Sequence, residues 1–478
     1  MNRSVIARVV GLILAIEAFC MLPSFVIAAV TRGADANAFG ASIALCGAAS
    51  FFLSRIKPKS KRFQPRDGFV AVALCWIVLG LSGALPYAFY GYSYVDAVFE
   101  TVSGFTTTGA TVVAAPSALP MGLQFWRALT QWMGGMGVLV MVMALLQSLG
   151  EGSVNLMKAE SPGPISSKLR PKTSETAKSL YIIYIALTLA ETLLLRVAGM
   201  PWFDSLTTSF TTISTGGFSV RDASIAYYGS EAVNWIIVLF MFVSAVNFGA
   251  LFQIQRGQWK DALKSEELRV YTFITAGAVA FIAADLIVTL GKGVYESVSQ
   301  SAFQVVTLMT TTGYATTDFD LWPFFSKAAL MLVMFVGGCA GSTAGGVKVS
   351  RVVILFKGLK RELRRILHTR EVRPLTLEGE RVAEGTVSSV AAFFFAYVVI
   401  LIAAAMVVSL DGVDVETSLS AALTTISNVG PGFALIGPTC NFAFLSALSK
   451  VVLTVTMLLG RLEIMPLLVL LFPSVWKK

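Results

Sequence analysis

One layout of residues recurs four times along the chain: an apolar stretch, a short segment that begins near an acidic residue, a turn at glycine and a second apolar stretch. The glycines of the four copies are roughly evenly spaced, at Gly109, Gly216, Gly313 and Gly430. Repetition of this kind predicts a fold built from copies of one supersecondary unit. A further pair of apolar stretches, at 5–53, precedes the first copy.

Charged residues are scarce, at 14% of the 478 residues, and long apolar stretches run along the whole chain. Soluble domains carry about 25% charged residues, so the composition predicts a polytopic membrane protein. A spanning helix needs about 20 mostly apolar residues, and the stretches predict ten spans, the first being an uncleaved helix rather than a signal peptide. The single His368 and five scattered cysteines predict neither a zinc nor a haem site. Since no nucleophile–base pair is evident either, we do not expect an enzyme.

Lysine and arginine residues, which give a net charge of +9, cluster in loops that alternate with the glycine-motif loops. By the positive-inside rule the basic loops are cytoplasmic, the motif loops face outside and both termini are inside. Nucleic-acid binding is a second interpretation of the basic loops, but topology and contact with anionic lipid account for them. We therefore expect membrane lipid, and no nucleic acid, as a partner. The clusters lie at Arg3–Arg8, 55–66, Lys158–Lys178, Arg256–Arg269, Lys348–Arg381 and Lys477–Lys478.

The short segment of each copy is predicted to be a helix that enters the membrane from outside without crossing it. The positive end of a helix dipole favours an acidic residue at its start, as at Asp96, Asp204, Glu296 and Glu416. Lipid tolerates such a broken backbone only where it is buried in protein or lines a water-filled cavity. A helix end with a glycine cap explains any single copy. Four copies in phase on one predicted side favour hairpins that meet around a central axis.

Four extended stretches around one axis would surround a cation with rings of carbonyl oxygens that replace its hydration shell. Glycine permits the required dihedral angles, and threonine suits extended backbone and adds a hydroxyl. Potassium is the favoured guest, as the transported ion rather than a resident cofactor, and no organic cofactor is expected in this chain. The predicted filter comprises Thr107, Thr108, Gly109, Ala110, Ser214, Thr215, Gly216, Gly217, Thr311, Thr312, Gly313, Tyr314, Asn428, Val429, Gly430 and Pro431. The predicted K+ contacts are Thr107, Thr108, Thr215, Gly216, Thr311, Thr312, Gly313, Asn428, Val429 and Gly430.

With these motifs and the stretches "TTISNVGPG" (424–432), "GGCAGSTAGGVKVSR" (337–351) and "GRLEIMPL" (460–467), the chain resembles the Trk/Ktr/HKT superfamily of cation transporters over essentially its whole length. The additional hairpin before the first copy resembles the TrkH branch. The resemblance implies an all-α polytopic membrane protein, with four pseudo-symmetric helix–pore-loop–helix repeats around one central pore and an N-terminal two-helix hairpin. The corresponding units are 1–60 for the hairpin and 61–155, 156–262, 263–375 and 376–478 for the repeats.

The same resemblance implies potassium uptake across a bacterial inner membrane by a homodimer with one pore in each protomer. It also implies a cytosolic nucleotide-binding regulatory subunit of the TrkA type, for which Lys348–Arg381 is a candidate docking site, with membrane-surface contact as the alternative. Sodium-preferring plant relatives carry a serine where this chain has Gly109, which points to potassium. Asn428, Val429 and Pro431 depart from the pattern of the other copies, so we expect only pseudo-fourfold symmetry.

Five glycines interrupt the second apolar stretch of the third copy: Gly337, Gly338, Gly341, Gly345 and Gly346. Close helix packing through small residues is one interpretation. The resemblance implies instead an intramembrane loop that blocks or clears the path. Arg461 also lies inside an apolar stretch, at a cost of ~3 kcal/mol. It is either part of a structural ion pair or a cation in the permeation path that gates with the loop.

Several alternatives stay open. The filter could pass sodium, and Glu17, Glu191 or Asp285 could couple transport to protons, which would make the protein a K+ symporter. A secondary transporter of another solute would need inverted repeats and an acidic site at the midplane, which four repeats of one orientation do not suit. The "MGGMG" stretch (133–137) is interpreted as a packing site.

Overall fold

The N-terminal helical hairpin packs against the first repeat, which follows it in the chain. The computed structural model describes residues 3–56, 65–137, 173–368 and 374–473. Helix α1 (Arg3–Val30) packs along α2 (Ala36–Ser54) and also contacts two helices of the first repeat. In the described ranges, strand structure is confined to one small hairpin, β1 (Thr376–Leu377) and β2 (Glu380–Arg381).

Every repeat places a short pore helix between two other helical elements. Repeat 1 has α3 (Pro65–Ser82), α4 (Leu85–Tyr90), the pore helix α5 (Tyr94–Phe105) and α6 (Met121–Gly135). Repeat 2 has α7 (Thr173–Val197), the pore helix α8 (Trp202–Ile213), α9 (Glu231–Ser244), α10 (Phe248–Gln255) and α11 (Trp259–Leu263). Repeat 3 has α12 (Glu266–Leu290), the pore helix α13 (Val294–Met309), α14 (Phe324–Val336) and α15 (Val349–Leu367). Repeat 4 has α16 (Glu384–Ser409), the pore helix α17 (Val415–Ile426), α18 (Ala447–Arg461) and α19 (Met465–Leu470).

The pore helices begin as the sequence predicts, each with its acidic residue in the first turn. Ser93 caps α5 by accepting a hydrogen bond from the Asp96 N–H, and Asp414 caps α17 by accepting one from the Thr417 N–H. Hydrogen bonds from Thr417 lower the pKa of Asp414, which lies in the loop before α17. The pore helices have 12, 12, 16 and 12 residues. At ~1.5 Å per residue none is long enough to cross a bilayer of about 30 Å.

The four repeats close into a ring. The second long helix of each repeat packs against the pore helix of the next: α6 against α8, α9 against α13, α14 against α17, and α18 back against α5. Because the last of these contacts returns to the first repeat, the pore helices surround one central axis. This arrangement confirms the predicted fold of four helix–pore-loop–helix units with an additional hairpin.

The second helices of the repeats are shorter and more often broken than the ten predicted spans imply. Six described helices are long and apolar enough to cross a membrane, and α9 with α10 forms a further candidate that is bent by 100°. Helices α6, α9, α14 and α18 have only 15, 14, 13 and 15 residues, and a break follows each of them. The sequence predicts this break only in repeat 3. The predicted span 132–149 continues from residue 138 outside the described residues.

Candidate ion pathway

The four pore helices end with the same backbone geometry. In repeat 1 the Thr107 N–H donates to the Gly104 carbonyl and the Thr108 N–H to the Ser103 carbonyl, both at 2.9 Å. These two bonds form a Schellman closure, which normally uses glycine at its left-handed position. The other three pore helices end with the equivalent pair of bonds. The segments that follow, 106–110, 214–218, 310–314 and 427–431, are called the pore hairpins below.

The left-handed position of each pore hairpin is not glycine. It is occupied by Thr107 (φ 55°), Thr215 (φ 55°), Thr311 (φ 57°) and Asn428 (φ 56°). Asparagine tolerates this conformation, but a β-branched residue there is an outlier that costs about 1–3 kcal/mol. Repetition of the strained threonine in three hairpins indicates that its side chain has a function that glycine would lack.

The side chains at this position make contacts that glycine could not make. The hydroxyl of Thr311 accepts a hydrogen bond of 2.7 Å from the Gly345 N–H, and that of Thr107 accepts one of 3.3 Å from Arg461. The amide of Asn428 donates to the Thr108 hydroxyl at 2.9 Å. These side chains therefore connect the hairpins with one another and with the residues that the sequence assigns to a gate.

Each hairpin has a second left-handed residue two positions later, and here it is always glycine: Gly109 (φ 81°), Gly217 (φ 74°), Gly313 (φ 84°) and Gly430 (φ 104°). The sequence predicts Gly216 as the equivalent glycine of repeat 2, and this prediction is wrong by one residue. Counting from the end of α8 at Ile213 makes Gly217 the equivalent residue. Two adjacent glycines cannot be told apart by spacing alone. All four structurally equivalent glycines line a cavity of about 110 Å³ at the mouth of the hairpins.

These glycines bring the hairpins into contact in cyclic order. A Cβ on Gly109 would collide with the carbonyl oxygen of Gly216 in the next repeat. In the same way, a Cβ on Gly217 would collide with the Thr312 carbonyl oxygen, and a Cβ on Gly313 with that of Val429. A Cβ on Gly430 would lie 2.7 Å from the Thr108 carbonyl oxygen. Glycine is therefore required here twice, for its positive φ and for the close approach. The hairpins meet around one line and are not splayed apart.

The hairpins carry buried oxygens without hydrogen-bond partners. Across the described ranges, no hydrogen bond reaches the backbone carbonyls of Thr107, Thr108, Thr215, Thr311, Thr312, Asn428 and Val429, and all of these residues are buried. Unpaired buried carbonyls are costly in a folded protein. Oxygens of this kind can replace the hydration shell of a cation.

The loop between α14 and α15, residues 337–348, lies against the inner ends of the pore hairpins. The Gly345 N–H donates to Thr311, the Gly346 N–H donates to the Ser427 carbonyl at 2.9 Å, and the Thr343 hydroxyl donates to the Ile213 carbonyl at 3.2 Å. The loop thus contacts the ends of three pore helices. Its predicted glycines have two roles. Gly337, Gly341 and Gly346 have positive φ, whereas Gly338 and Gly345 allow close approach to neighbouring chain segments.

Arg461, the last residue of α18, connects this loop with repeat 1. Its Nη1 donates to the Thr343 carbonyl at 2.8 Å and to Thr107, and its Nη2 donates to the carbonyls of Gly134 and Gly135 at the end of α6, at 2.5 and 2.9 Å. Glu463, two residues further on, forms an ion pair with Arg351 of α15. The 133–137 stretch packs closely, since a Cβ on Gly134 would collide with the Phe105 carbonyl.

Two groups of buried charged residues beside the pore hairpins and the α14–α15 loop are not predicted from the sequence. Glu267, which is 3% exposed, accepts hydrogen bonds from the N–H groups of Ala340 (2.7 Å) and Ser350 (3.0 Å), one within and one just after the α14–α15 loop. At the start of α12 it resembles an ordinary first-turn acid, so the sequence gives no signal for this contact. Glu100 and Arg127 form a buried ion pair at 2.8 Å just outside the hairpin of repeat 1. Glu100 lies in the middle of the pore helix. A buried carboxylate there indicates that a cation or hydrogen-bond donor is nearby, but the sequence does not identify which residue supplies it.

The three acids predicted as candidates for proton coupling lie in different surroundings. Glu17 is buried and accepts a hydrogen bond from Ser82. Asp285 accepts hydrogen bonds from Ser326 at 2.5 Å and from Thr289 at 2.9 Å. Glu191 is fully buried in α7, which packs against the pore helix of repeat 2.

Comparison with known proteins agrees with this geometry. Residues 36–478 match the family model described as TrkH, cation transport protein. The chain is 37% identical over the full length of both chains to the Trk system potassium uptake proteins TrkH of Salmonella typhimurium and of Escherichia coli K12. The crystal structure of the potassium transporter TrkH from Vibrio parahaemolyticus superimposes with a TM-score of 0.90 at 35% identity, again over all of both chains.

These matches fix the class of protein. The family consists of transporters rather than enzymes, and the membrane-length helices make the chain a multi-pass protein of the bacterial inner membrane. The close structural match covers the ring of repeats and the additional hairpin together. From its ring of pore helices and from its full-length similarity to these relatives, the chain belongs to the TrkH family of cation transport proteins.

Proposed function

We propose that this protein takes up potassium through the four pore hairpins, which act as its selectivity filter. The observation that carries the proposal is the cyclic contact in which each filter glycine lies against a carbonyl of the next repeat. Two relatives that share 37% sequence identity with this chain along its whole length are potassium uptake proteins. An ordered ring of backbone oxygens can coordinate a dehydrated potassium ion.

The ion ligands in this proposal are backbone oxygens of the pore hairpins. The carbonyls would form rings stacked along the pore axis. The inner ring consists of the carbonyls of Thr107, Thr215, Thr311 and Asn428. The next ring consists of those of Thr108, Gly216, Thr312 and Val429. Gly109, Gly217, Gly313 and Gly430 form the outer ring, beside the cavity. Ala110, Ser214, Tyr314 and Pro431 flank the ion-binding residues and hold the ends of the hairpins.

The α14–α15 loop and Arg461 form the proposed gate. The loop lies against three of the four pore-helix ends, and Arg461 contacts the fourth through Thr107. A guanidinium at that point raises the barrier to a potassium ion by like-charge repulsion. Movement of the loop, together with release of its bonds to Thr311 and Arg461, would clear the path.

Rubidium or potassium uptake in cells that lack their own potassium uptake systems tests the proposal. The wild-type chain should restore growth at low potassium and favour potassium over sodium. Gly313→Ser should lower that preference, because a side chain at this residue meets the Val429 carbonyl. Gly277→Ser is the matched control, since a Cβ there meets no atom within 4 Å. A Gly313→Ser variant with unchanged preference would contradict the filter assignment, and sodium uptake by the wild type at equal rate would favour the sodium-permeable alternative.

Proton-coupled symport is the second candidate, because Glu191 is a carboxylate buried beside the pore helix of repeat 2. Uptake measured with and without a proton gradient, at equal potassium concentrations on both sides of the membrane and zero membrane potential, separates the two. Coupled symport requires potassium to accumulate when only the proton gradient drives it. A channel mechanism requires the flux to follow the potassium gradient and the membrane potential.

Assembly and regulation are part of the same proposal. We expect a homodimer, and a nucleotide-binding subunit of the TrkA type docked on the basic segment 348–381, of which residues 369–373 lie outside the described residues. We also propose that the chain is divided into an N-terminal hairpin unit, 1–60, and four pore repeats, 61–155, 156–262, 263–375 and 376–478. Light scattering of the detergent-solubilised chain, alone and with the candidate subunit, tests both partners.

A further inference from the structure

The side chain of Gln131 in α6 reaches from repeat 1 into the pore hairpin of repeat 2. It is fully buried. Its Nε2 donates to the Gly216 carbonyl at 2.6 Å, and its Oε1 accepts from the Phe218 N–H at 3.0 Å. Both ends of one amide are therefore bound to one hairpin, on either side of Gly217. Because a carboxamide has a donor and an acceptor in a fixed geometry, the two bonds fix the orientation of this backbone.

Repeat 2 is also exceptional in sequence at this point. The position two residues after the helix cap is branched in the other hairpins, as Thr108, Thr312 and Val429, but it is Gly216 here. Gly216 does not have a positive φ, so its backbone conformation does not require glycine. A Cβ at Gly216 would instead collide with the Gln131 carboxamide. Gly216 is therefore glycine because the Gln131 side chain occupies the space of its missing side chain.

The other threonine hairpins are braced from within. The Thr108 hydroxyl bonds to that of Thr106 at 2.7 Å, and the Thr312 hydroxyl bonds to that of Thr310 at 2.8 Å. Repeat 2 has two consecutive glycines and so lacks this brace. Since glycine has the greatest conformational freedom of any residue, this hairpin needs an external support most.

We propose that Gln131 and Gly216 are a matched pair in which a side chain of one repeat positions the filter backbone of the next, and that Gln131 thereby determines ion specificity. The inference rests on the proposed filter function. Discrimination against the smaller sodium ion requires oxygens that are held apart. Without the Gln131 side chain, the Gly216–Gly217 backbone can move inward, and its carbonyl oxygens can then also coordinate the smaller sodium ion. Gln131 acts through the backbone and does not itself bind the ion.

The test uses the full-length protein in liposomes, with potassium and sodium fluxes measured separately. Gln131→Leu keeps the approximate volume but removes both hydrogen bonds. We expect the potassium-to-sodium flux ratio to fall by about fivefold to 30-fold, the factors that correspond to one and to both of the lost hydrogen bonds, with a smaller change in total cation flux. Gln124→Leu is the matched control on the same helix, because Gln124 donates to the Leu119 carbonyl at 2.9 Å in the outer loop. Its flux ratio should equal that of the wild type.

A double variant tests the pairing itself and remains informative if Gln131→Leu does not fold. Gly216→Thr alone should lower uptake and the potassium-to-sodium ratio, because its side chain displaces the buried Gln131 carboxamide from its two bonds. Gln131→Ala with Gly216→Thr should recover uptake and selectivity, since the new threonine fills the vacated space as in repeats 1 and 3. A double variant that is no better than Gly216→Thr would overturn the pairing, as would a wild-type flux ratio in folded Gln131→Leu.

Failure of this inference can be told apart from failure of the filter assignment. If Gly313→Ser changes the potassium-to-sodium ratio while Gln131→Leu behaves like Gln124→Leu, only the role of Gln131 is wrong. If Gly313→Ser also leaves the ratio unchanged, the filter assignment itself is wrong.

Discussion

Arg461 Nη1 lies 2.8 Å from the carbonyl oxygen of Thr343, so the end of α18 is hydrogen-bonded to the loop between α14 and α15. The same guanidinium reaches Thr107 and the end of α6. A single side chain thus joins elements of repeats 1, 3 and 4 at the inner ends of the pore hairpins. Hydrogen bonds to a charged donor contribute about 1.5–3 kcal/mol each, so this side chain stabilises the loop in the position in which we propose that it closes the path.

Arg461→Ala should raise potassium flux several-fold. The substitution removes the positive charge beneath the filter and also the bond that holds Thr343. Rubidium uptake into liposomes at a fixed membrane potential measures the effect. Arg269→Ala, at an exposed arginine in α12, is the control and should leave the flux unchanged. Equal flux in Arg461→Ala and wild type, with both proteins folded, would remove Arg461 from the gate.

Thr311→Val should also increase flux, because the valine keeps the shape of threonine but cannot accept the Gly345 N–H. Thr311→Ser keeps the hydroxyl and should behave like the wild type. Loss of a neutral hydrogen bond corresponds to about 1 kcal/mol, or roughly a fivefold change in the gate equilibrium. Single-channel recording or tracer flux measures it. If the serine and valine variants are indistinguishable, the hydroxyl does not hold the loop.

Glu267→Ala should loosen the gate from its other side. The carboxylate accepts N–H groups from Ala340 and Ser350, so its removal leaves two donors near the loop without a partner. We expect a higher basal flux and faster hydrogen exchange at 337–350 in mass spectrometry. Glu266→Ala is the neighbouring control: its ion pair with Lys357 is about one-third exposed, and such pairs contribute about 0–1 kcal/mol. Unaltered exchange in Glu267→Ala would show that the carboxylate does not restrain the loop.

Gly217→Ala should abolish uptake, because the new Cβ collides with the Thr312 carbonyl of the next repeat. Gly229→Ala is a control of matched backbone conformation: its φ is +55°, but a Cβ there meets no atom within 4 Å. The comparison separates the penalty for a left-handed alanine, about 1 kcal/mol, from the effect of breaking the ring. If both variants transport equally, close contact between the hairpins is unnecessary for uptake.

Local sequence patterns predict the repeated parts of this fold well. The first-turn acids, the apolar helices and the glycine turns each depend on residues a few positions apart, and repetition in phase reinforces them. The glycine-rich segment 337–346 predicts a break for the same reason. The cyclic order of the hairpins follows from fourfold repetition once the units are known.

Contacts between distant segments are not predictable in the same way. The choice of Gly217 over Gly216 depends on where α8 ends and on Gln131, which is far away in sequence. The left-handed residues of the break after α18 are Glu463 and Ile464 rather than glycines, so the turn itself is not marked by a glycine. Glu267 looks like any acid in a first helical turn. In each case the deciding contact joins segments that lie far apart in the chain or depends on where a helix ends, and one sequence does not identify it.

The packing of α18 against α5 has a consequence for the biosynthesis and membrane insertion of the protein. The pore helix of repeat 1 is synthesised early, yet the helix that covers its open flank is made only with repeat 4. Throughout translation, the nascent chain therefore carries a pore helix with one side uncovered in the bilayer. Insertion of α18 adds the last of the four helix–pore-helix contacts, so the ring of pore helices closes only after repeat 4 has been made.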